Sequence, residues 1–201
     1  PCRPFDMERL GLNLGEAAAT ILLSREVPQR QTGNIWHISH GFIRNDAFHI
    51  SAPSKTSDGL YKALKETCSG VDKEKLAFVN AHGTATLFND QMESIAIQRA
   101  GLADIPINAL KGYFGHTLGA AGVLETILSM KAVDNHTIIG TRGYQEAGVS
   151  GKVDISAENR STDKRSFIKM LSGFGGCNAT VFVSKDNCTL SAKECFVPSV
   201  L

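Results

Sequence analysis

The hydrophobic pattern of the chain alternates between short strand-like runs and longer runs with helical periodicity. Apolar runs predict strands over residues 17–23, 35–43, 76–80, 105–110, 152–156, 166–171 and 179–184. Helical spacing predicts helices over residues 57–68, 90–100 and 117–133. Because strands and helices alternate along the chain, the pattern indicates an α/β sheet covered by helices.

Two acidic residues mark the predicted start of the second helix. Asp90 and Glu93 have the spacing of a capping box, and Gly101 is the stop signal at the far end. Alternatively, the two carboxylates hold the Lys111 side chain in place next to a functional site. The pattern alone leaves both interpretations open.

Composition narrows the classes of function. The 201 residues suit one domain, or one and a half, with a sizeable core. With 21 basic and 20 acidic residues the net charge is +1, so we expect neither nucleic acid nor a membrane surface as a partner. No apolar run is long enough to predict a membrane span. The five cysteines are scattered without a CxxC pair, which favours free thiols in a reducing cytoplasm.

Two histidines in glycine-rich stretches are the main candidates for chemistry. His82 opens the stretch HGTATLFND, and His116 lies within KGYFGHTLGAAG, five residues after Lys111. Each follows a predicted strand and precedes a predicted helix, where α/β proteins collect catalytic side chains. A helix N-terminus and the Lys111 ammonium would both keep His116 neutral, able to donate to a carbonyl gaining negative charge. The alternative is a histidine that caps a core helix.

Hydroxyl groups and a second glycine-rich stretch add to these candidates. Thr84 and Thr86 alternate, so both hydroxyls face one side of an extended segment and suit a ligand with amide or thioester carbonyls. A turn with side-chain-to-backbone bonds is the alternative. Residues 173–176 (GFGG) predict a tight turn before a strand. HExxH is absent and the histidines lack ligand spacing, so we expect no metal.

In their order along the chain, these stretches resemble the β-ketoacyl-acyl carrier protein synthases of the thiolase superfamily. The shared stretches are RPFD (3–6), LGEAA (14–18), DAFHI (46–50), AHGTAT (81–86), KGYFGHTLGAAG (111–122) and GFGGCNA (173–179). The resemblance implies the C-terminal half of a thiolase-like fold, a layered α-β-α sandwich with a mixed five-stranded sheet. It divides the chain into the end of the N-terminal half (1–28), the C-terminal half (29–186) and a tail (187–201).

The resemblance also implies an activity, that of a 3-oxoacyl-[acyl-carrier-protein] synthase. In this family, malonyl on a carrier protein loses carbon dioxide, and the resulting carbanion attacks an acyl thioester on a cysteine. By motif position, the catalytic residues are His82, His116 and Lys111. Glu93 is the implied acidic partner of the lysine, with Asp90 beside it.

The implied substrate contacts and partners follow from the same resemblance. Thr84 and Thr86 match threonines that hydrogen-bond the pantetheine arm, and Gly173 and Phe174 belong to the turn whose aromatic ring lines the pocket near the nucleophile. No cofactor is implied beyond the phosphopantetheine of the carrier. The implied partners are an acyl carrier protein, the N-terminal ketosynthase half, and a second ketosynthase chain in a homodimer or heterodimer.

Three departures from the family pattern limit the expected activity. The family's nucleophilic cysteine lies upstream of RPFD, where this chain begins, and neither Cys2 nor Cys177 has the setting of a nucleophile; Cys177 is interpreted as a small packing residue. Ser172 stands where many members have a gating phenylalanine, and Ala17 replaces the glycine of the usual GEGA. We therefore predict that the chain alone is inactive in condensation, and that it exposes apolar surface where an N-terminal half packs.

Two other classes of function compete with this interpretation. One is a non-catalytic partner like the chain-length factors, which the missing gate residue favours and the retained histidines disfavour. The other is a thiolase-type degradative enzyme or acyl-CoA-binding module, which lacks support because no late CxG motif is present.

Overall fold

Strands and helices alternate throughout the part of the chain described by the computed structural model, residues 2–26, 34–49 and 52–187. The helices are α1 (Asp58–Thr67), α2 (Leu87–Arg99), α3 (Lys111–Phe114) and α4 (Ala121–Asp134). The strands are β1 (His37–Asn45), β2 (Leu76–Asn80), β3 (Pro106–Asn108), β4 (Thr137–Ile138), β5 (Asp154–Ile155), β6 (Arg160–Ser161), β7 (Ser166–Gly173) and β8 (Cys177–Ser184). Short 3₁₀ turns cover Lys73–Lys75, Leu118–Ala120 and Phe174–Gly176.

The main sheet is mixed and six-stranded, in the order β1-β8-β7-β2-β3-β5. β2 runs parallel to both β7 and β3, whereas β8 runs antiparallel to β7 and β1. The resemblance implied five strands, and that number is wrong because the two-residue β5 adds a sixth strand beside β3. β4 and β6 form a separate two-stranded sheet.

Helices cover both faces of the main sheet. On one face Leu64 of α1 and Ile97 of α2 pack with Ile168 of β7 in one apolar cluster. On the other face the rings of Phe78 and Phe167 stack with centroids 5.3 Å apart, and α4 packs against this second cluster. Adjacent strand residues therefore point to opposite layers, as a pleated strand requires. The layered α-β-α expectation is confirmed.

The parallel strands β2 and β3 end at the same edge of the sheet. Their last residues, Asn80 and Asn108, are buried and joined by a side-chain hydrogen bond of 2.8 Å. The chain continues from these strands to His82 and to Lys111. The two strand ends therefore bring these predicted site residues together.

The predicted strand over residues 17–23 is wrong. The structure gives this segment no strand pairing, and Leu22 and Leu23 are 94% and 71% exposed. The apolar run has no neighbouring strand in the described residues, and a strand needs a partner for its backbone groups. Leu10 and Leu14 are exposed as well, so the predicted exposed apolar surface is confirmed.

The first residues of the chain pack onto the sheet domain. Phe5 is fully buried, and the Asp6 carboxylate accepts hydrogen bonds from the backbone N–H groups of Gln145 (2.7 Å) and Glu146 (3.1 Å). Residues 27–33 and 188–201 lie outside the described residues, so the domain boundary at residue 28 and the tail stay predictions. Among the described residues, no helix has both the length and the apolarity to span a bilayer.

Candidate active site

His82 is held at the end of β2 by a buried carboxylate. Glu93 of α2 accepts the backbone N–H groups of His82 and Gly83, each at 2.7 Å. Gly83 has φ +52°, and a Cβ atom there would lie 2.4 Å from the Cβ of Ala109. A glycine is therefore required for the turn that presents His82.

Asp90 binds the same loop from the first turn of α2. Its carboxylate accepts N–H groups from Phe5 (2.7 Å), Thr84 (3.0 Å) and Ala85 (3.1 Å). The predicted capping box is wrong because α2 begins at Leu87, so that both acidic residues lie inside the helix and reach back to the loop. Burial raises the pKa of Asp90, and burial and the nearby Asp90 charge raise the pKa of Glu93 to about 7.

Lys111 begins the one-turn helix α3, and its side chain is fully buried. Its Nζ lies 2.7 Å from Oε1 of Glu125 and also donates to the backbone carbonyl of His82. The expectation that Glu93 is its acidic partner is wrong, because Glu93 is occupied by backbone N–H groups. Sequence reasoning missed Glu125, whose signal is a single acidic residue inside the apolar pattern of α4.

A second buried lysine, also missed from the sequence, shares Glu125. Lys169 of β7 contacts the other Glu125 oxygen and donates to the Ala81 carbonyl at 3.3 Å. Its signal was a charged residue in the middle of the apolar run over residues 166–171. Burial lowers the pKa of Lys169 to about 8. Although burial opposes it, the two ammonium groups hold the pKa of Glu125 below its usual value.

The backbone of His116 is held by hydrogen bonds to residues 13–15, near the start of the chain. Its N–H donates to the Asn13 carbonyl at 2.7 Å, and its own carbonyl accepts the Gly15 N–H at 3.0 Å. The rings of His82 and His116 lie edge to face, with centroids 5.1 Å apart and an interplanar angle of 82°. The structure thus brings together the two histidines that the sequence singled out.

The helix N-terminus expected at His116 is not there. A 3₁₀ turn follows, and α4 begins only at Ala121. The pKa of His116 is nevertheless lowered, first by burial and then by the Lys111 charge. The predicted neutral state is retained, with burial in place of the helix dipole as its main cause.

The hydrogen bonds of both rings assign the same tautomer. Nδ1 of His116 accepts the Leu118 N–H at 3.2 Å, and Nδ1 of His82 faces the Lys111 ammonium at 3.3 Å. Burial, Lys111, Lys169 and the neighbouring His116 hold the pKa of His82 well below its usual value. Each neutral ring therefore carries its proton on Nε2, where it is a hydrogen-bond donor.

The two predicted threonines lie beside this pair in the loop after His82. The hydroxyls of Thr84 and Thr86 are 2.8 Å apart, so the prediction that they face the same side is confirmed. Their contact with a pantetheine arm stays a prediction.

The GFGG stretch forms the tip of the β7–β8 hairpin. Phe174 is 80% exposed there. Among the described residues, neither its ring nor Gly173 makes a ring or hydrogen-bond contact with the imidazole of His82 or His116. Their contact with substrate stays a prediction.

The Ser172 hydroxyl donates to Oδ1 of Asn178 at 2.9 Å. Cys177 is exposed, so its interpretation as a packing residue is wrong.

The buried thiols lack the setting of a nucleophile. Cys2 donates to the Thr84 carbonyl at 3.4 Å, and burial raises its pKa to about 11. Burial likewise raises the pKa of Cys68 to about 11, whereas a reactive thiol needs a lowered pKa. Cys188 and Cys195 lie outside the described residues.

Among the described residues, no group of three or more His, Cys, Asp or Glu side chains is arranged to hold a metal ion. The expectation of a metal-free site stays a prediction. What the arrangement offers is two neutral N–H donors side by side, backed by buried charges.

Comparison with known proteins decides the family. Residues 37–145 match the C-terminal domain of the β-ketoacyl synthases, and this is more than half of the chain. The chain belongs to the β-ketoacyl synthase family. The resemblance inferred from the sequence is therefore confirmed.

Relatives and solved structures of this family cover nearly the whole chain. A putative mitochondrial 3-oxoacyl-[acyl-carrier-protein] synthase of Schizosaccharomyces pombe is 30% identical over 197 residues, 91% of this chain and 46% of the relative. A β-ketoacyl synthase from Burkholderia phymatum superposes with a TM-score of 0.77 at 28% identity, over 92% of this chain and 46% of the other. A ketosynthase in complex with its chain length factor from Xenorhabdus doucetiae gives a TM-score of 0.71 at 27% identity, over 91% and 46%.

These similarities confirm the fold and show how much of the relatives' length this chain covers. The ketosynthases align with the α/β sheet and its helices over most of the chain, so the thiolase-like fold is confirmed. The chain spans about half the length of the curated relatives it matches.

Proposed function

We propose that this chain carries the malonyl-binding and decarboxylating part of a 3-oxoacyl-[acyl-carrier-protein] synthase. The observation that supports it is the pair of neutral imidazoles, His82 and His116, with rings 5.1 Å apart and both Nε2–H groups available as donors. Two fixed donors suit one thioester carbonyl whose oxygen becomes negative during the reaction. The names of the relatives support the same reaction class.

The proposed reaction starts with malonyl thioester bound to the two donors. The bond between the carboxylate and Cα breaks, carbon dioxide leaves, and the electron pair moves to the thioester oxygen as an enolate. His82 and His116 stabilise that oxygen through Nε2–H. The enolate carbon then attacks an acyl thioester on a cysteine, forming the new carbon–carbon bond and releasing the cysteine thiolate. The product is a 3-oxoacyl group on the carrier.

The other polar groups have supporting roles in this proposal. Lys111 holds the His82 carbonyl and faces its Nδ1, so it favours the Nε2–H tautomer. Thr84 and Thr86 bind the amide groups of the pantetheine arm, which their paired hydroxyls fit. Phe174 lines the acyl pocket from the hairpin tip. No cofactor is needed beyond the phosphopantetheine that carries the substrates.

The acyl-carrying cysteine in this proposal comes from outside the described residues. Cys2 and Cys68 are buried thiols with raised pKa values, so neither can hold the acyl chain. The third described cysteine, Cys177, is exposed at the start of β8, where it pairs with Asn45 and Gly173, and the proposal gives it no catalytic role. We infer that the 201-residue chain alone releases no condensation product. The N-terminal ketosynthase half is then the partner that supplies the nucleophile and covers the exposed leucines of residues 10–23.

The remaining partners are inferred in the same way. We propose an acyl carrier protein as the substrate donor, and a second ketosynthase chain in a homodimer or in a heterodimer like the complex from Xenorhabdus doucetiae. A near-zero net charge disfavours nucleic acid. A cytoplasmic location is proposed because the described cysteines, Cys2, Cys68 and Cys177, are free thiols.

The test uses the complete gene product that contains this chain. Release of carbon dioxide from malonyl-carrier protein is measured together with the 3-oxoacyl product. His82→Ala is expected to lower decarboxylation by about 100-fold or more, the usual effect of losing one such donor. His136→Gln, at a histidine 71% exposed on the surface, is the matched control and leaves the rate unchanged. Equal rates in the wild type and His82→Ala would sink the proposal.

A chain-length-factor-like partner is the second candidate, supported by Ser172. This residue is small and bonded to Asn178, where many ketosynthases have a gating aromatic ring. Identifying the residue at the nucleophile position upstream discriminates the two: cysteine supports the enzyme, and another residue supports the partner. The intact histidine pair favours the enzyme.

A further inference from the structure

Lys169 is a charged residue in the middle of a central strand. It lies on β7, in register with Asn80 of β2 on one side and Val181 of β8 on the other. Its side chain is only 5% exposed. An ammonium buried at this depth is unfavourable unless its partners compensate, so its contacts indicate why it is there.

The contacts of Lys169 point to the histidine pair. Its Nζ donates to the carbonyl of Ala81, and Lys111 donates to the carbonyl of His82. Both ammonium groups contact Glu125, one on each carboxylate oxygen. Two consecutive carbonyls are therefore each held by a lysine, and one carboxylate joins the two lysines.

The N–H groups of this backbone segment also have a charged partner. Glu93 accepts the N–H groups of His82 and Gly83 at 2.7 Å. The backbone of His82 thus has charged partners on its N–H and on both adjoining carbonyls. This arrangement leaves little freedom for the imidazole to move away from His116.

Lys169 also changes the charge behind the imidazoles. The charged or titratable groups around His82 come from every packed element: Asp90 and Glu93 of α2, Lys111 of α3, His116, Glu125 of α4 and Lys169 of β7. Glu125 contacts both ammonium groups, and Glu93 is a second acidic group whose charge acts on them. The Lys169 charge acts to lower the pKa of both His82 and His116, after the larger effects of burial and Lys111. At His116 the Glu125 charge, which raises the pKa, also has a larger effect than Lys169.

We propose that Lys169 is a positioning residue for the histidine pair: it fixes the His82 peptide through Ala81 and Glu125, and it supplies the second buried positive charge that keeps both imidazoles as neutral donors. The inference rests on the proposed decarboxylation for its catalytic meaning. Its structural part, the charge on the imidazoles, can be measured without any substrate.

The first measurement is an NMR titration of the side-chain nitrogens of ¹⁵N-labelled histidine in the 201-residue chain. Lys169→Met removes the charge at similar size and is expected to raise the titration midpoints of His82 and His116 by roughly one pH unit. Lys169→Gln keeps an amide donor for Glu125 and is the second neutral variant should Lys169→Met fail to fold. Lys169→Arg retains the charge and restores the wild-type midpoints. Lys131→Met, on the exposed side of α4, is the control.

The second measurement is the pH profile of decarboxylation by the complete gene product. The acid limb is expected to move to higher pH in Lys169→Gln, so the loss of rate is larger at pH 6 than at pH 8, and Lys169→Arg reverses it. A purely structural role would lower the rate equally at all pH values. Unchanged midpoints in both neutral variants, with a uniform loss of rate, overturn the inference. Should the wild type release no carbon dioxide, the proposed function fails, and the midpoints alone still decide the role of Lys169.

Discussion

The carboxylate of Glu125 lies 2.7 Å from the ammonium of Lys111, and neither side chain has any exposed surface. Its other oxygen contacts Lys169, so one acidic residue on α4 joins α3 to the central strand β7. This link lies directly behind His82, whose carbonyl Lys111 binds. The ion pair therefore belongs both to the core and to the candidate site.

Replacing Glu125 is expected to destabilise the fold strongly. Glu125→Gln leaves two buried ammonium groups without a charged partner, which costs about 3–5 kcal/mol. Urea unfolding measures the change. The matched control is Glu66→Gln, which removes the half-exposed partner of Arg44 and costs less than about 1 kcal/mol. Similar small effects for both variants would show that the buried pair contributes nothing beyond a surface pair.

The turn at Gly83 gives a second prediction. Gly83→Ala places a side chain at φ +52° and against Ala109, so we expect a loss of at least about 1–2 kcal/mol from the backbone alone, together with displacement of His82. Gly119→Ala meets open space and no positive φ, and it serves as the control with a change below about 1 kcal/mol. Thermal unfolding of both variants distinguishes them, and equal shifts would contradict the argument.

The neutral state of His82 predicts a loss of stability in acid. Its pKa is well below 6.5 in the fold, so below pH 6.5 the unfolded chain binds an additional proton and the free energy of unfolding falls. Between pH 6.5 and 5.5 this loss amounts to about 1 kcal/mol. Glu93 acts in the opposite sense, because its pKa of about 7 lies above the unfolded value and favours the fold as pH drops.

The two effects are separated by comparing the wild type with His82→Gln at pH 7.5, 6.5 and 5.5. Glu93 contributes equally to both proteins, so the difference in their free energies of unfolding isolates His82. We expect the wild type to lose about 1 kcal/mol relative to the variant between pH 6.5 and 5.5. A difference that stays constant with pH would mean that folding does not shift the pKa of His82, and a wild type that gains stability relative to the variant as pH falls would mean that the buried ring is protonated.

The two buried thiols predict that neither Cys2 nor Cys68 forms an acyl-enzyme. Cys2 and Cys68 are buried with pKa values raised to about 11, so incubation with an acyl-carrier thioester at pH 7 leaves both unmodified. Peptide-mapping mass spectrometry shows which cysteine carries any acyl adduct, the exposed Cys177 included, and the 3-oxoacyl product is sought in the same reaction. Chain extension by the isolated chain would contradict this account.

Local sequence patterns predict the helices, strands and turns that depend mainly on residues close together in the sequence. Periodicity located β2, α1 and β8 closely, and the glycine-rich stretches identified His82 and His116, because turns that need glycine are visible in the sequence. The strand predicted over residues 17–23 failed because pairing depends on a neighbouring strand, which no local pattern reports.

Local sequence patterns do not predict the buried ion pair between Lys169 and Glu125 behind the histidines. Lys169 and Glu125 are 44 residues apart in sequence, and only the packing of α4 against β7 brings them into contact. Motif position predicts Glu93 as the partner of Lys111, whereas in the fold Glu93 accepts two backbone N–H groups instead. Isolated charges within apolar runs were the available signal, and they indicate buried ion pairs without naming the partner.

The central claim is that His82 and His116 are both neutral at pH 7 with the proton on Nε2. Two-bond ¹H–¹⁵N correlation spectra of the histidine side chains in this chain report the tautomer directly. We predict that both rings show a protonated Nε2 and an unprotonated Nδ1 at pH 7, and that His82 keeps this pattern at pH 6. An imidazolium spectrum, or a proton on Nδ1 of either ring, would contradict the account.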